Sequence, residues 1–112
     1  MTINEAAWYV SRKAKRKGFT VHLYESKTTD SVYIKLDFGV CGTIRISDHP
    51  SKEDLDFTYE HIITPDSTVE HLDSIVVQAI FHRSNKLKRY GKRKYNRYMK
   101  KNKVNKILGR KL

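Results

Sequence analysis

The chain lacks most of what would make a small protein an enzyme or a secreted module. Cys41 is its only cysteine, which excludes an internal disulfide, a zinc knuckle and a CxxC redox pair. No apolar run approaches the roughly 20 residues of a membrane-spanning helix. The opening "MTINEAAWYVSRK" has no apolar core of the kind a secretory signal needs. There is no Gly-rich phosphate loop and no internal repeat. With 112 residues, 31% of them charged, and a mean hydropathy of −0.67, the chain has room for one core only. A soluble, cytosolic domain is expected.

The most informative absence is local. Residues 83–112 contain no acid, while they hold fourteen Lys or Arg and so carry +14. Residues 1–82 hold nine Lys or Arg and all twelve Asp and Glu, a balance of −3. A mildly acidic body followed by a strongly basic end points to a polyanionic partner.

The body reads as alternating periods. Residues 2–17 have helical spacing, with Ile3, Ala7, Val10 and Ala14 on one face, a Thr2/Glu5 capping box, and a stop at Gly18 behind a basic cluster. The period then changes to two. "FTVHLYE", "SVYIKLDF", "GVCGTIRIS" and "DLDFTYEHI" each place apolar residues on one side: Phe19, Val21 and Leu23; Val32, Ile34, Leu36 and Phe38; Val40, Ile44 and Ile46; Leu55, Phe57, Tyr59 and His61. Short connectors predict an antiparallel meander. Helical spacing returns with Val69, Leu72, Ile75/Val76, Ala79/Ile80 and Leu87, capped by Ser67 and Glu70. The expected fold is α+β: an N-terminal helix, a four-stranded antiparallel sheet, and a long C-terminal helix packed on the sheet. Residues 1–85 form this α-β-β-β-β-α domain and residues 86–112 a basic, Tyr-containing arm.

The second helix is expected to end near Tyr90. Beyond it Tyr95, Tyr98/Met99 and Asn102 recur at helical spacing, but Gly91 interrupts and like charges repel. The arm is therefore expected to be a helix extension or disordered until neutralised. In "KLKRYGKRKYNRYMKKNKVNKILGRK" a purely solubilising role fits poorly with the lack of acids, and a membrane-surface role lacks Trp, Phe or Leu to insert. Nucleic acid fits best. Lys86, Lys88, Arg89, Lys92, Arg93, Lys94, Arg97, Lys100 and Lys101 would neutralise phosphates, and Tyr90, Tyr95 and Tyr98 would stack on unpaired bases.

"RISDHPSKED" gathers the remaining polar chemistry. A nuclease would use Asp48 with Glu53 or Asp54 for a metal ion and His49 as general base. The simpler reading is a strand end followed by a turn, with Pro50 forbidding further pairing. Neither a metal site nor a catalytic residue is assigned, no cofactor is expected, and Cys41 reads as a packing residue. The order nearly matches a double-stranded RNA-binding domain. The start of its last helix, "DSTVEHLD", however, carries acids where such domains carry lysines.

"SVYIKLDFGVCGTIRISDH", a polar hairpin, a strand and the helix "STVEHLDSIVVQAI" resemble small proteins of phages and prophages of Gram-positive bacteria. Within them they resemble the phage-encoded anti-CRISPR inhibitors of Cas9. The likeness covers roughly residues 31–80 and the composition of "RYGKRKYNRYMKKNK", although in the family the basic segment precedes the domain. It implies a non-enzymatic inhibitor in the cytoplasm of a bacterial host, with a Cas9-type nuclease, its guide RNA or its target DNA as partner. It also implies that Arg45, Asp48 and His49 mark the family's strand end, that Arg45 and His49 join the binding residues, and that the basic segment from Lys86 onward is the functional one.

Overall fold

The first helix begins where its capping chemistry dictates. Thr2 Oγ1 accepts the Glu5 N–H at 3.0 Å and the Glu5 carboxylate returns to the Thr2 N–H at 3.1 Å, satisfying two donors that a helix start leaves open. The computed structural model describes residues 1–25, 30–50 and 59–107. There α1 spans Ile3–Arg16, β1 Val21–Glu25, β2 Val32–Leu36, β3 Thr43–Ser47, β4 Tyr59–Ile62, α2 Val69–Tyr90 and α3 Lys92–Ile107, with a single 3-10 turn at Asp37–Gly39 after β2.

The sheet has the order β1-β2-β3-β4, and its alternation sends Val32, Ile34, Leu36, Ile44 and Ile46 to one face. On that face lie Ala6, Ala7, Val10 and Ala14 of α1 and Leu72, Ile75, Val76 and Ala79 of α2, all buried. Each fully buried Leu, Ile or Val stabilises the layer by about 1.5–3 kcal/mol.

The sheet is mixed, which corrects the antiparallel meander. β1-β2 and β2-β3 are antiparallel, but β4 runs parallel to β3, with Ile44 opposite Tyr59 and Ile46 opposite His61. The physical reason is the connection: residues 48–58 come close to the dozen that a crossover requires. Tyr59 and His61 share a face as the alternation predicts; the proposed Leu55 and Phe57 positions lie outside the described residues.

Two local expectations also change. The Asp37–Gly39 turn ends β2 early, so Phe38 does not extend its apolar row, and Val40 and Cys41 are both buried instead of facing opposite sides. The cap of α2 is Thr68, whose hydroxyl accepts the His71 N–H, while Ser67 Oγ instead accepts the Thr64 N–H at 2.8 Å. Val69 is accordingly exposed rather than part of the stripe.

The arm departs most from expectation. It is a helix docked on the body. α2 ends at Tyr90 as predicted, and Gly91 at φ 85°, ψ 153° breaks it in a backbone region essentially closed to other residues. α3 then packs against α2 and the Asp37–Gly39 turn.

Candidate nucleic-acid interface

The docking of a helix this basic on the domain centres on one buried carboxylate. Asp37 and Phe38 adopt left-handed φ values of 50° and 55°, unusual for side chains other than Gly and Asn/Asp. This conformation turns the Asp37 side chain inward, where it is 2% exposed. Its Oδ1 accepts the Thr20 N–H at 2.9 Å, its Oδ2 accepts the Tyr95 hydroxyl at 2.6 Å, and Arg83 Nη1 lies 3.9 Å away. Burial first, then the bond to Asp37, raise the Tyr95 pKa far above the usual phenol range, so the hydroxyl stays a donor. Arg83 also donates to the Lys17 carbonyl at 2.9 Å and lies over the Phe19 ring. Asn102 Nδ2 donates to the Phe38 carbonyl at 2.9 Å. One turn thus ties the end of α1, the middle of α2 and the docked face of α3.

That face is the stripe Tyr95, Tyr98/Met99 and Asn102. Tyr95 is buried and the next two are half-buried. Tyr95 therefore cannot stack on a base, and its place among the binding residues is corrected: it is the anchor. Lys86 is half-committed as well, its ammonium donating to the Val40 carbonyl at 2.6 Å.

The other sequence-predicted residues lie on the outside. Lys88, Arg89, Lys92, Arg93, Lys94, Arg97, Lys100 and Lys101 are exposed, and none has an acidic partner among the described residues. Arg93, Arg97 and Lys101 follow one another at i, i+4. Each such like-charge pair costs an isolated helix about 0.2–0.5 kcal/mol, which an anion laid along the row would relieve. Tyr90 and Tyr98 meet edge to face at 6.0 Å across the α2–α3 elbow. Lys94 sits 5.6 Å and 5.9 Å from their ring centres. Tyr90 retains 36% of its exposure, leaving a ring available beside cations.

Arg45 and His49, grouped with these residues by resemblance, sit elsewhere and behave differently. Arg45 is 3% exposed on the sheet face away from the helices. Its guanidinium donates to the His49 carbonyl at 2.9 Å, to Glu60 Oε2 at 3.2 Å and to Ser31 Oγ at 3.1 Å. It also faces His49 Nε2 at 3.3 Å. A guanidinium can only donate, so Nε2 accepts and Nδ1 carries the proton. That same Nδ1 meets Asp48 Oδ1 at 2.7 Å and Ser47 Oγ at 3.0 Å. A serine triad needs the acid and the hydroxyl on opposite ring nitrogens; here they share one, and Arg45 occupies the other. "RISDH" is a strand-end clasp, and Arg45 is unavailable to a partner. Bonding to His49 holds the Asp48 carboxyl below its usual pKa. Glu53 and Asp54, the other half of the nuclease reading, lie outside the described residues.

Other chemistry is sparse. Cys41 is fully buried, its thiol pushed up to about 11 by burial and then by the Asp37 charge, which keeps it a thiol at neutral pH. Among the described residues no cluster of three or more His, Cys, Asp or Glu is placed to hold a metal ion, and no helix is long and apolar enough to cross a membrane. The sequence reading missed Asp37 and Arg83, whose roles depend on contacts distant in the chain. The basic end of α1 reads from sequence only as a helix stop, although Arg83 joins its Lys17 carbonyl to Asp37. Comparison with family models, curated proteins and solved structures finds no match.

Proposed function

We propose that the protein is a non-enzymatic nucleic-acid-binding protein that grips phosphates with the solvent face of α3 and shows little sequence preference. The observation that carries this reading is a helix fixed to the body by Tyr95 and Asn102 while its row of exposed cations lacks acidic partners among the described residues. Docking the helix in advance lowers the ordering cost of binding. Counterion release from phosphates then supplies affinity, and Tyr90 offers a ring for stacking.

Binding to a 20-mer duplex and to its single strand, followed by anisotropy from 50 to 300 mM salt, tests it. Six phosphate contacts predict a log–log slope of about −5 on duplex and about −4 on single strand. Changing Lys92, Arg93, Arg97, Lys100 and Lys101 together to Gln should weaken binding on the order of a hundredfold at 0.15 M salt and flatten both slopes. Neutralisation is the better intervention than deletion, because removing α3 uncovers Asp37. An affinity indifferent to salt defeats the reading.

The narrower form is inhibition of a Cas9-type ribonucleoprotein, supported by the resemblance across residues 31–80. A chain of +11 cannot imitate DNA, so α3 would approach the guide RNA, the target DNA or acidic ground on the nuclease. Cleavage assays with several Cas9 orthologues separate the two forms. Inhibition lost on neutralising α3 supports the narrower one. Tight binding of naked nucleic acid with no orthologue inhibited leaves the broader one alone.

A further inference from the structure

The only tryptophan in the chain is not in the core. Trp8 is 61% exposed on α1, although Ala6, Ala7, Val10 and Ala14 of the same helix are buried. Leaving so large an apolar ring mostly exposed forgoes a stabilising burial, and the surroundings of the ring are specific. The Arg12 guanidinium lies 4.4 Å from its centre. One helical turn, about 6 Å, further along the same side stands Arg16. Trp8, Arg12, Arg16 and Lys17 line one cleft of about 400 Å³, together with Tyr9 and Lys13. Lys13 is held by Asp73 at 2.7 Å; Arg12, Arg16 and Lys17 have no acidic partner among the described residues. No acid lines this cleft. On its other side Trp8 borders an open groove lined by Asn4, Ala7, Leu23, Tyr24, Glu25 and Val32, so the acid of that groove, Glu25, lies on the side away from Arg12 and Arg16.

We infer that Trp8 is a base-stacking platform for an unpaired nucleotide, with Arg12 and Arg16 holding the flanking phosphates. A ring with a cation on its face suits a purine or pyrimidine, because every base offers a π-face and the guanidinium adds cation–π attraction. A base inside a duplex cannot reach such a ring, so the site selects single strands, loops or ends. This rests on the nucleic-acid reading of α3 and narrows its ligand class. The C-terminal end of α1 is linked to α3 through one turn: Lys17 accepts from Arg83, which faces Asp37, which holds Tyr95 of α3.

Because Trp8 is the sole tryptophan, its emission reports the site in the unaltered protein. Titration with single-stranded RNA and DNA 12-mers should quench it, and titration with a blunt duplex should not. Trp8→Ala should weaken single-strand binding about fivefold to a hundredfold and leave duplex affinity and the salt slope as they were. Trp8→Phe should recover part of the loss. Preference for RNA over DNA, or the reverse, identifies the natural strand and supports the site either way. Unchanged emission at saturation, or equal single-strand affinity for Trp8→Ala and the parent, overturns the inference while leaving the α3 reading intact. A parent that self-associates in sedimentation, where Trp8→Ala is monomeric with the same oligonucleotide affinity, overturns it in favour of a contact between copies. Failure of the parent to bind any oligonucleotide overturns both readings.

Discussion

Arg45 and Arg97 are the same side chain in two situations. Arg45 lies on a strand at 3% exposure, with its donors directed at His49, Glu60 and Ser31. Arg97 lies on α3, exposed, flanked at i±4 by Arg93 and Lys101, with no acid beside it among the described residues. Both stand in motifs that the sequence marks as contact elements. The difference is whether the fold itself supplies the anion. Where it does, the cation is structural and its removal is felt in stability. Where it does not, the cation is left, under the proposed function, for a partner, and its removal should be felt in affinity.

The sharpest test of that division is Arg45→Ala. Truncation leaves Glu60, Ser31 and the His49 carbonyl without a shared donor. Glu60 keeps a third of its exposure, so the ion pair alone counts for less than a fully buried one. Taken together the loss should be about 3 kcal/mol, seen as a lower urea midpoint at unchanged m-value. Oligonucleotide affinity should not move. A folded Arg45→Ala protein with weakened binding would place Arg45 in the interface and break the comparison.

Much of the architecture is legible in the sequence because its determinants are local. The Thr2/Glu5 capping box, the alternation of Val32, Ile34 and Leu36, and the end of α2 at Tyr90 before Gly91 each depend on neighbours within a few residues. The direction of β4 is not local, because it is set by its pairing with β3, from which residues 48–58 separate it in the chain. Nor is the docking of α3. Its stripe of Tyr95, Tyr98/Met99 and Asn102 is visible as a pattern, but the acceptor for Tyr95 lies 58 residues away, on a left-handed Asp37 with no obvious signature. Charge repulsion along the arm argues for disorder only while that acceptor is out of sight. The same holds for Arg45, which alternates outward as a solvent-facing residue does and is nonetheless covered. Charge composition finds the basic segment correctly; it cannot tell which cations the fold consumes.

Tyr95→Phe probes the α3 side of the comparison with a smaller effect. The ring and its packing remain while a 2.6 Å bond to a buried carboxylate is removed. Asp37 keeps the Thr20 N–H, so the cost should be about 2 kcal/mol, within the range for hydrogen bonds to charged groups. Amide exchange should accelerate first in α3. Nucleic-acid affinity should fall only modestly, since the cations are untouched and only their pre-ordering is lost. No change in α3 exchange would mean that Asp37 is not what holds the helix.

A third fate for a basic side chain is burial without a partner among the described residues, and His61 shows it. It is 3% exposed on β4, its ring 4.3 Å from His71, and neither of its ring nitrogens has a hydrogen-bond partner among the described residues. Burial first, and then His71, lower its pKa below the ordinary 6.5; burial and then Lys86 do the same for His82. Above pH 6.5 both are neutral folded and unfolded, and stability is at its full value. As the pH falls below 6.5 the unfolded chain takes up protons first, so stability is lost until the folded pKa is passed. The limit is about 1.4 kcal/mol per pH unit for each proton. Glu5, Asp48 and Asp73 are lowered from 4.5, 3.8 and 3.8 by their hydrogen bonds, so their losses come at lower pH and leave the window from about 5 to 6.5 to the histidines. His61→Phe should keep a ring against His71, remove one share of that slope and leave the share of His82. Urea midpoints at pH 7.5, 6.5 and 5.5 for parent and variant measure it. An identical slope in the two proteins would mean that His61 binds its proton as readily folded as unfolded, and that burial without a partner does not keep this basic group neutral.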